Sequence, residues 1–315
     1  MLRTIFVLMS SFFMLGTTAV AETTTAAAVP LISEAYNQSL LTKYSPKEID
    51  LIQKDMRYIR ELVFAERIPN LRSKPLYIAT AGGPGARKST ILEQVLAQDA
   101  RFHNTVYLDP DQRGLRFMGN TYYNVSLNLY KVSLFEKYAD AQKSAYDYWR
   151  EASIYITNTL MNEAFAKRYD IAHGTTLTSP LVDGFLAQLK AAGYEVVLLL
   201  CGAEDELRVS AVNYRSKEQG FYQTDPKDVV NKGIFFPQRM ELYFKYADEM
   251  AIYWSEKIFA PMQAAAKLNF AKHALEVLDK PAYESFVAKY NKDAKAKTLA
   301  QPLPQWSAIL SKNGF

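Results

Sequence analysis

Apolar residues recur at two different periods along this chain. From Ser45 to about residue 65, Ile49, Ile52, Met56, Ile59, Leu62 and Val63 fall at helical spacing. Ser45 stands as N-cap, Pro46 in the first turn and Glu48 three residues on, a capping box that marks where this helix begins. The period then shortens. Leu76 to Thr80 is a compact β-type run, followed by a glycine cluster and a helical stretch from Lys88 to Gln98. Further β-type runs lie at 105–109, 169–173, 195–201 and 250–254, with helical stretches at 122–168, 181–192, 204–219 and 236–247 between them. Five strands alternating with helices predict an α/β fold: a parallel five-stranded sheet with helices on both faces. Such sheets bind ligands beyond the carboxyl ends of their strands, so chemistry is expected where each run stops. After Trp254 no strand signal is evident. Residues 257–278 and 281–290 are rich in Ala, Lys and Leu and read as helices, and the tail carries Lys292, Lys295, Lys297 and Lys312. A solvated helical extension over 257–315 is the expectation.

The start of the chain follows another pattern. Arg3, the apolar stretch from Ile5 to Leu15 and Ala19-Val20-Ala21 read as an export leader over residues 1–21, cleaved after Ala21. Residues 22–32 are small and polar and read as a linker, so 22–70 is expected to be linker plus a helical extension ahead of a domain over 71–256. The leader is too short to span a membrane comfortably, and no later segment reaches the roughly 18 apolar residues a span needs. Composition changes this picture little. The 315 residues are 49 % hydrophobic and 22 % charged, enough for a sizeable core. A net charge of +4 gives no basis for a nucleic-acid partner, and no basic stripe interleaved with aromatics appears. One cysteine, Cys201, excludes an intramolecular disulfide, and its place in a Val/Leu run suits a buried apolar residue rather than a reactive thiol.

Candidate chemistry sits where the strands end. Ala81-Gly82-Gly83-Pro84-Gly85-Ala86-Arg87-Lys88-Ser89-Thr90 lies between a β run and a helix, the context of a phosphate-binding loop. Glycines let backbone N–H groups turn around a phosphate, and the helix behind them presents its positive dipole end. Lys88 would reach the β- and γ-phosphates, Ser89 would ligate Mg²⁺, and Thr90 would lie near the α-phosphate. The consensus places glycine where this chain has Arg87, whose guanidinium is expected either near the phosphates or in solvent. Asp109 and Asp111 close the second run, where a carboxylate could take a proton from an incoming hydroxyl or hold Mg²⁺ through water; Asp111, beyond the strand, is the better placed to reach into the cleft. The third run ends in His173-Gly174-Thr175-Thr176, a loop of substrate-contacting type. Arg208 and Arg215 share a helix face, suited either to a lid over the phosphates or to solvent.

Four ordered stretches resemble the zeta-toxin family of P-loop kinases: Gly82 to Thr90, Leu108 to Asp111, His173 to Thr176, and Leu189-Lys-Ala-Ala-Gly-Tyr-Glu-Val196. The resemblance covers roughly residues 71–256. It implies a P-loop kinase-type sheet, ATP and Mg²⁺ as cofactors, and phosphorylation of a hydroxyl on a UDP-activated amino sugar. On that basis Lys88 grips ATP, Asp111 is the general base, His173 and Thr175 face the small-molecule acceptor, and Arg215 helps hold the phosphates. An antitoxin or a host-cell protein is the implied partner. The chain departs from the family at Arg87, at His173 where a glutamate is expected, and at Leu177 where a substrate-binding arginine can occur. A second lid arginine expected around 224–232 has no clear counterpart. Two other readings compete: a nucleotide-binding protein without turnover, and a kinase of nucleic-acid ends.

Overall fold

The computed structural model describes residues 29–71, 74–131, 138–218, 221, 222 and 224–315. The expected leader and most of the linker lie outside these residues. Helices α1 (Glu34–Ser39) and α2 (Pro46–Phe64) come first, and α2 starts as its sequence requires. The Ser45 hydroxyl accepts from the Glu48 N–H while the Glu48 carboxylate accepts from the Ser45 N–H. The apolar face of α2 buries Ile52, Ile59 and Val63.

The strands β1 (Leu76–Ala81), β2 (Val106–Leu108), β3 (Ile171–His173), β4 (Glu195–Ala203) and β5 (Glu249–Ser255) pair in parallel in the order β2-β3-β1-β4-β5. Chain order reverses at β1, which lies between β3 and β4, so the crevice of the sheet opens past the ends of β1 and β3. Alternation feeds two cores. Tyr77 and Ala79 of β1, with Val196, Leu198 and Leu200 of β4, face the larger one, and Ile78, Val197, Leu199 and Cys201 face the other. Helices cover both faces: α3 (Lys88–Gln98), α4 (Asn124–Lys131), α5 (Tyr138–Ala166), α6 (Val182–Ala191), α7 (Asp205–Lys217), α8 (Pro226–Gly233) and α9 (Met240–Tyr246). Cys201 is a buried free thiol, and burial pushes it up to about 12, which leaves it protonated and inert.

The C-terminal expectation is corrected in two ways. Residues 257–278 are not helical. They form β6 (Ala264–Asn269) and β7 (Ala274–Val277), an antiparallel hairpin that pairs β6 with β5 and makes the sheet seven-stranded. An unpaired β5 would expose a row of backbone donors and acceptors, and pairing that edge outweighs the helical propensity of an alanine-rich run. Between the two strands the Asn269 side chain accepts the Lys272 N–H at 3.0 Å and holds the turn. Nor is the tail a solvated appendix. Helices α10 (Lys280–Asp293) and α11 (Trp306–Lys312) put Phe286, Tyr290, Trp306 and Ile309 into the larger core. Lys289, 7 % exposed, pairs with Asp293 at 2.7 Å and with Asp205 of α7 at 3.1 Å.

Candidate functional site

Strand β1 ends in a loop whose shape depends on missing side chains. At Gly85, with φ +80°, a Cβ would strike the Arg208 backbone. The loop after β3 is locked beside it. Thr80 of β1 donates its hydroxyl to the Thr175 carbonyl at 2.7 Å and accepts the Thr175 N–H at 3.1 Å, and the Gly82 N–H donates to the Thr176 carbonyl at 3.2 Å. At Gly174 a Cβ would meet the Asp109 carboxylate, so the loop after β3 leaves room for that side chain only because residue 174 has none.

These loops enclose a cleft of about 260 Å³. Lys88, Ser89, Asp109, Asp111, Thr175 and Arg215 all line it. Lys88 opens α3 and donates its ammonium to the Gly83 carbonyl at 2.8 Å. Burial away from water pushes that ammonium down to about 8. Arg215 reaches from α7 to 3.5 Å from the Ser89 hydroxyl; burial lowers its pKa, with Asp111 and Asp109 pulling the other way. The two aspartates divide their work. Asp109 is buried and accepts the N–H groups of Asp111 and Gln112 at 2.7 and 2.9 Å, which builds the turn. Burial, then the neighbouring Asp111, raises its carboxyl above the usual range. Asp111 is left to face the cleft, 3.4 Å from the Arg150 guanidinium.

Three expectations fail on geometry. Arg87 lines the edge of the cleft, but its guanidinium turns neither to the phosphate loop nor to solvent. It sits in the left-handed region (φ 57°), 7 % exposed, and its guanidinium donates to the carbonyls of Lys257 at 2.9 Å and Ala260 at 2.7 Å. The backbone strain costs about 1–3 kcal/mol. Two charge-assisted hydrogen bonds of about 1.5–3 kcal/mol each are large enough to offset it. His173 does not enter the cleft. Its side chain leaves the strand on the opposite face, where Nδ1 meets the Tyr77 hydroxyl at 2.8 Å and the ring packs against Phe185. Burial pushes this imidazole down to about 4, so it is neutral at physiological pH. Arg208, 4 % exposed, belongs to neither of its expected roles. It donates to the Pro84 carbonyl at 3.0 Å and to Val229, and pairs with Asp205 at 2.8 Å, bracing the phosphate loop from behind.

Other lining residues carried no local signal. Tyr146 and Arg150 come from one face of α5, with the Arg150 Nε donating to the Tyr146 hydroxyl at 3.1 Å. Burial works against the Arg150 charge, and Asp111 beside it holds the charge in place. Thr224 and Lys232 face them from the α8 side, the Lys232 ammonium 3.1 Å from the Thr224 hydroxyl. The window 224–232 thus holds a cation after all, but an ammonium where a guanidinium was sought.

Magnesium takes oxygen ligands and few of them from protein. The Ser89 hydroxyl and the Asp109 and Asp111 carboxylates share one cleft, a donor set that fits it. A glycine-shaped loop leading into a helix, faced by strand-end carboxylates and a lid arginine on a β2-β3-β1-β4-β5 sheet, defines a nucleotide site of the P-loop kinase class. The family model named "Zeta toxin" matches residues 61–235, more than half of the chain, and the chain belongs to that family. A structure from the PezAT chromosomal toxin–antitoxin system of the human pathogen Streptococcus pneumoniae is similar over 86 % of this chain and 95 % of its own, at 15 % identity and a TM-score of 0.52. A structure of AvrRxo1-ORF1:-ORF2 with ATP is similar over 90 % and 94 %, at 14 % identity and a TM-score of 0.53. The native AvrRxo1-ORF1:-ORF2 complex is similar over 91 % and 96 %, at 13 % and 0.54. At such identities these likenesses speak for the fold. No curated protein matches the sequence. Family and fold put the chain in the nucleotide-binding, kinase-type phosphotransferase class. No helix among the described residues is long and apolar enough to cross a membrane.

Proposed function

We propose that this protein transfers the γ-phosphoryl group of ATP to a hydroxyl of a small acceptor, with a UDP-activated amino sugar as the first candidate. The observation that carries the reading is the convergence of Lys88, Asp111 and Arg215 on one cleft at the end of β1. Asp111 takes the proton of the acceptor hydroxyl as its oxygen bonds to the γ-phosphorus. The bond from that phosphorus to the bridging oxygen breaks, and ADP leaves. Lys88 and Arg215 balance the charge that builds on the transferring group. Ser89 would hold Mg²⁺, which would supply further neutralisation. Thr175 lines the cleft beside Asp111 and suits a contact to the acceptor. With His173 turned away and Leu177 apolar, Arg150 beside Asp111 and Lys232 beside Asp228 are cations of the cleft that can meet an acidic acceptor such as a diphosphate.

Incubating the purified protein with ATP, Mg²⁺ and a panel of UDP-sugars, followed by mass spectrometry of the products, tests this reading. A gain of one phosphate on the acceptor is expected; ATP binding without transfer to any sugar, nucleotide or protein would leave a binding module. For the partner we propose an antitoxin or a host-cell protein, which supports the same reading of a kinase held in check. We also propose export after Ala21, with delivery to a compartment that contains ATP. Mature protein from an exporting cell should then begin at Glu22, and a secreted form that keeps Met1 to Ala21 by mass spectrometry would refute it.

A further inference from the structure

A second cavity, of about 330 Å³, opens beside the cleft and shares Arg87, Ser89 and Arg215 with it. It also reaches Thr90, one residue further along α3, so a phosphate chain gripped by the loop would point its nucleoside end into this space. Two aromatic rings stand on its wall: Tyr214 of α7 and Phe259 of the loop after β5, centroids 4.9 Å apart at 78°. Phe259 is 70 % exposed, yet the backbone that carries it is tied down on both sides. Arg87 holds the carbonyls of Lys257 and Ala260 immediately around it, and Gln94 of α3 donates to the Met262 carbonyl at 2.6 Å. A large apolar ring kept in water on a tethered loop is a stacking surface, and any nucleobase presents a face that fits one.

We propose that this second cavity takes the nucleoside of the bound nucleotide, with its base against Phe259 and Tyr214, and that Arg87 is the positioning residue that sets Phe259 in place. The inference rests on the nucleotide reading of the phosphate loop. It gives the departure from glycine a task. A glycine N-cap would leave residues 257–260 untied, whereas the arginine joins them directly to the first residue of the phosphate-binding helix. Phosphate recognition and base recognition then share one rigid seam.

Calorimetric titration with ATP and with inorganic tripolyphosphate separates the two parts of the ligand. Phe259→Ala should weaken ATP about tenfold and leave tripolyphosphate unchanged. Arg87→Gly should show the same selective loss, Arg87→Lys should recover part of it, and the double variant should be no weaker than Phe259→Ala alone. Because Phe259 is exposed, its removal does not threaten folding and decides the matter even if Arg87→Gly fails to fold. Unchanged ATP affinity in Phe259→Ala overturns the base site. Equal losses of ATP and tripolyphosphate in Arg87→Gly overturn the positioning role and put the arginine on the phosphates. A wild type that binds neither ligand removes the nucleotide reading itself, and this inference with it.

Discussion

The two walls of the cleft are built in opposite ways. The donor wall comes from one short stretch, Pro84, Gly85, Arg87, Lys88 and Ser89, joined by Arg215 from α7. The acceptor wall draws Asp111 from the turn after β2, Tyr146 and Arg150 from α5, Thr175 from the loop after β3, and Lys232 from α8. A phosphate chain is the same ligand in every nucleotide and is met by backbone N–H groups, so a local motif suffices for it. An acceptor is met by side chains, and those are gathered from wherever the sheet and its helices bring them. Donor chemistry is therefore a property of a segment, and acceptor chemistry a property of the fold.

If the walls are separate in function, single substitutions should affect one and spare the other. The largest effect belongs to Asp111. Asp111→Asn should cut transfer about 10²- to 10⁴-fold while ATP affinity stays within a few-fold, as steady-state kinetics beside calorimetry would register. Undiminished transfer would mean that the base lies elsewhere on the acceptor wall. Lys88→Ala is the mirror experiment. It should weaken ATP by about 1–3 kcal/mol, the worth of a charge-assisted contact. An unchanged dissociation constant in a folded variant would break the assignment of the donor wall.

The same division explains how far the sequence could be read. Lys88, Ser89, Asp111 and Thr175 are found in the cleft because each lies on the loop or helix start that follows a strand end, and strand ends in a parallel sheet face one crevice. His173 is misread because it is the last residue of β3 itself, where side chains alternate; a shift of one residue sends it to the Tyr77 side. Arg150 is invisible because its meaning lies in Asp111, a residue brought to it only when α5 packs against the turn that Ser153 holds through the Pro110 carbonyl. The hairpin of β6 and β7 escapes notice because its alanines favour helix, and the open edge of β5 overrides that local preference.

Arg150 offers a finer cut within the acceptor wall. It stands 3.4 Å from Asp111. Arg150→Gln should raise the acceptor KM about tenfold with ATP affinity unmoved. A loss confined to kcat would instead make it a group that orients Asp111.

The smallest effect is a pH slope on the donor wall alone. Burial favours the neutral amine of Lys88 and brings it to about 8 in the free protein. Triphosphate favours the ammonium, so the pKa rises when ATP binds. Below pH 8 the free protein already carries the charge, and binding takes up no proton there. Above it, binding must take up a proton, and affinity falls as pH rises. Between pH 7 and 8.5 the ATP dissociation constant should weaken about three- to fourfold, and titrations in buffers of different ionisation enthalpy should register proton uptake only at the higher pH. Lys88→Arg keeps a charge that no longer titrates in this range and should flatten the slope. A slope that persists in Lys88→Arg would assign the titration to another group and leave Lys88 charged throughout.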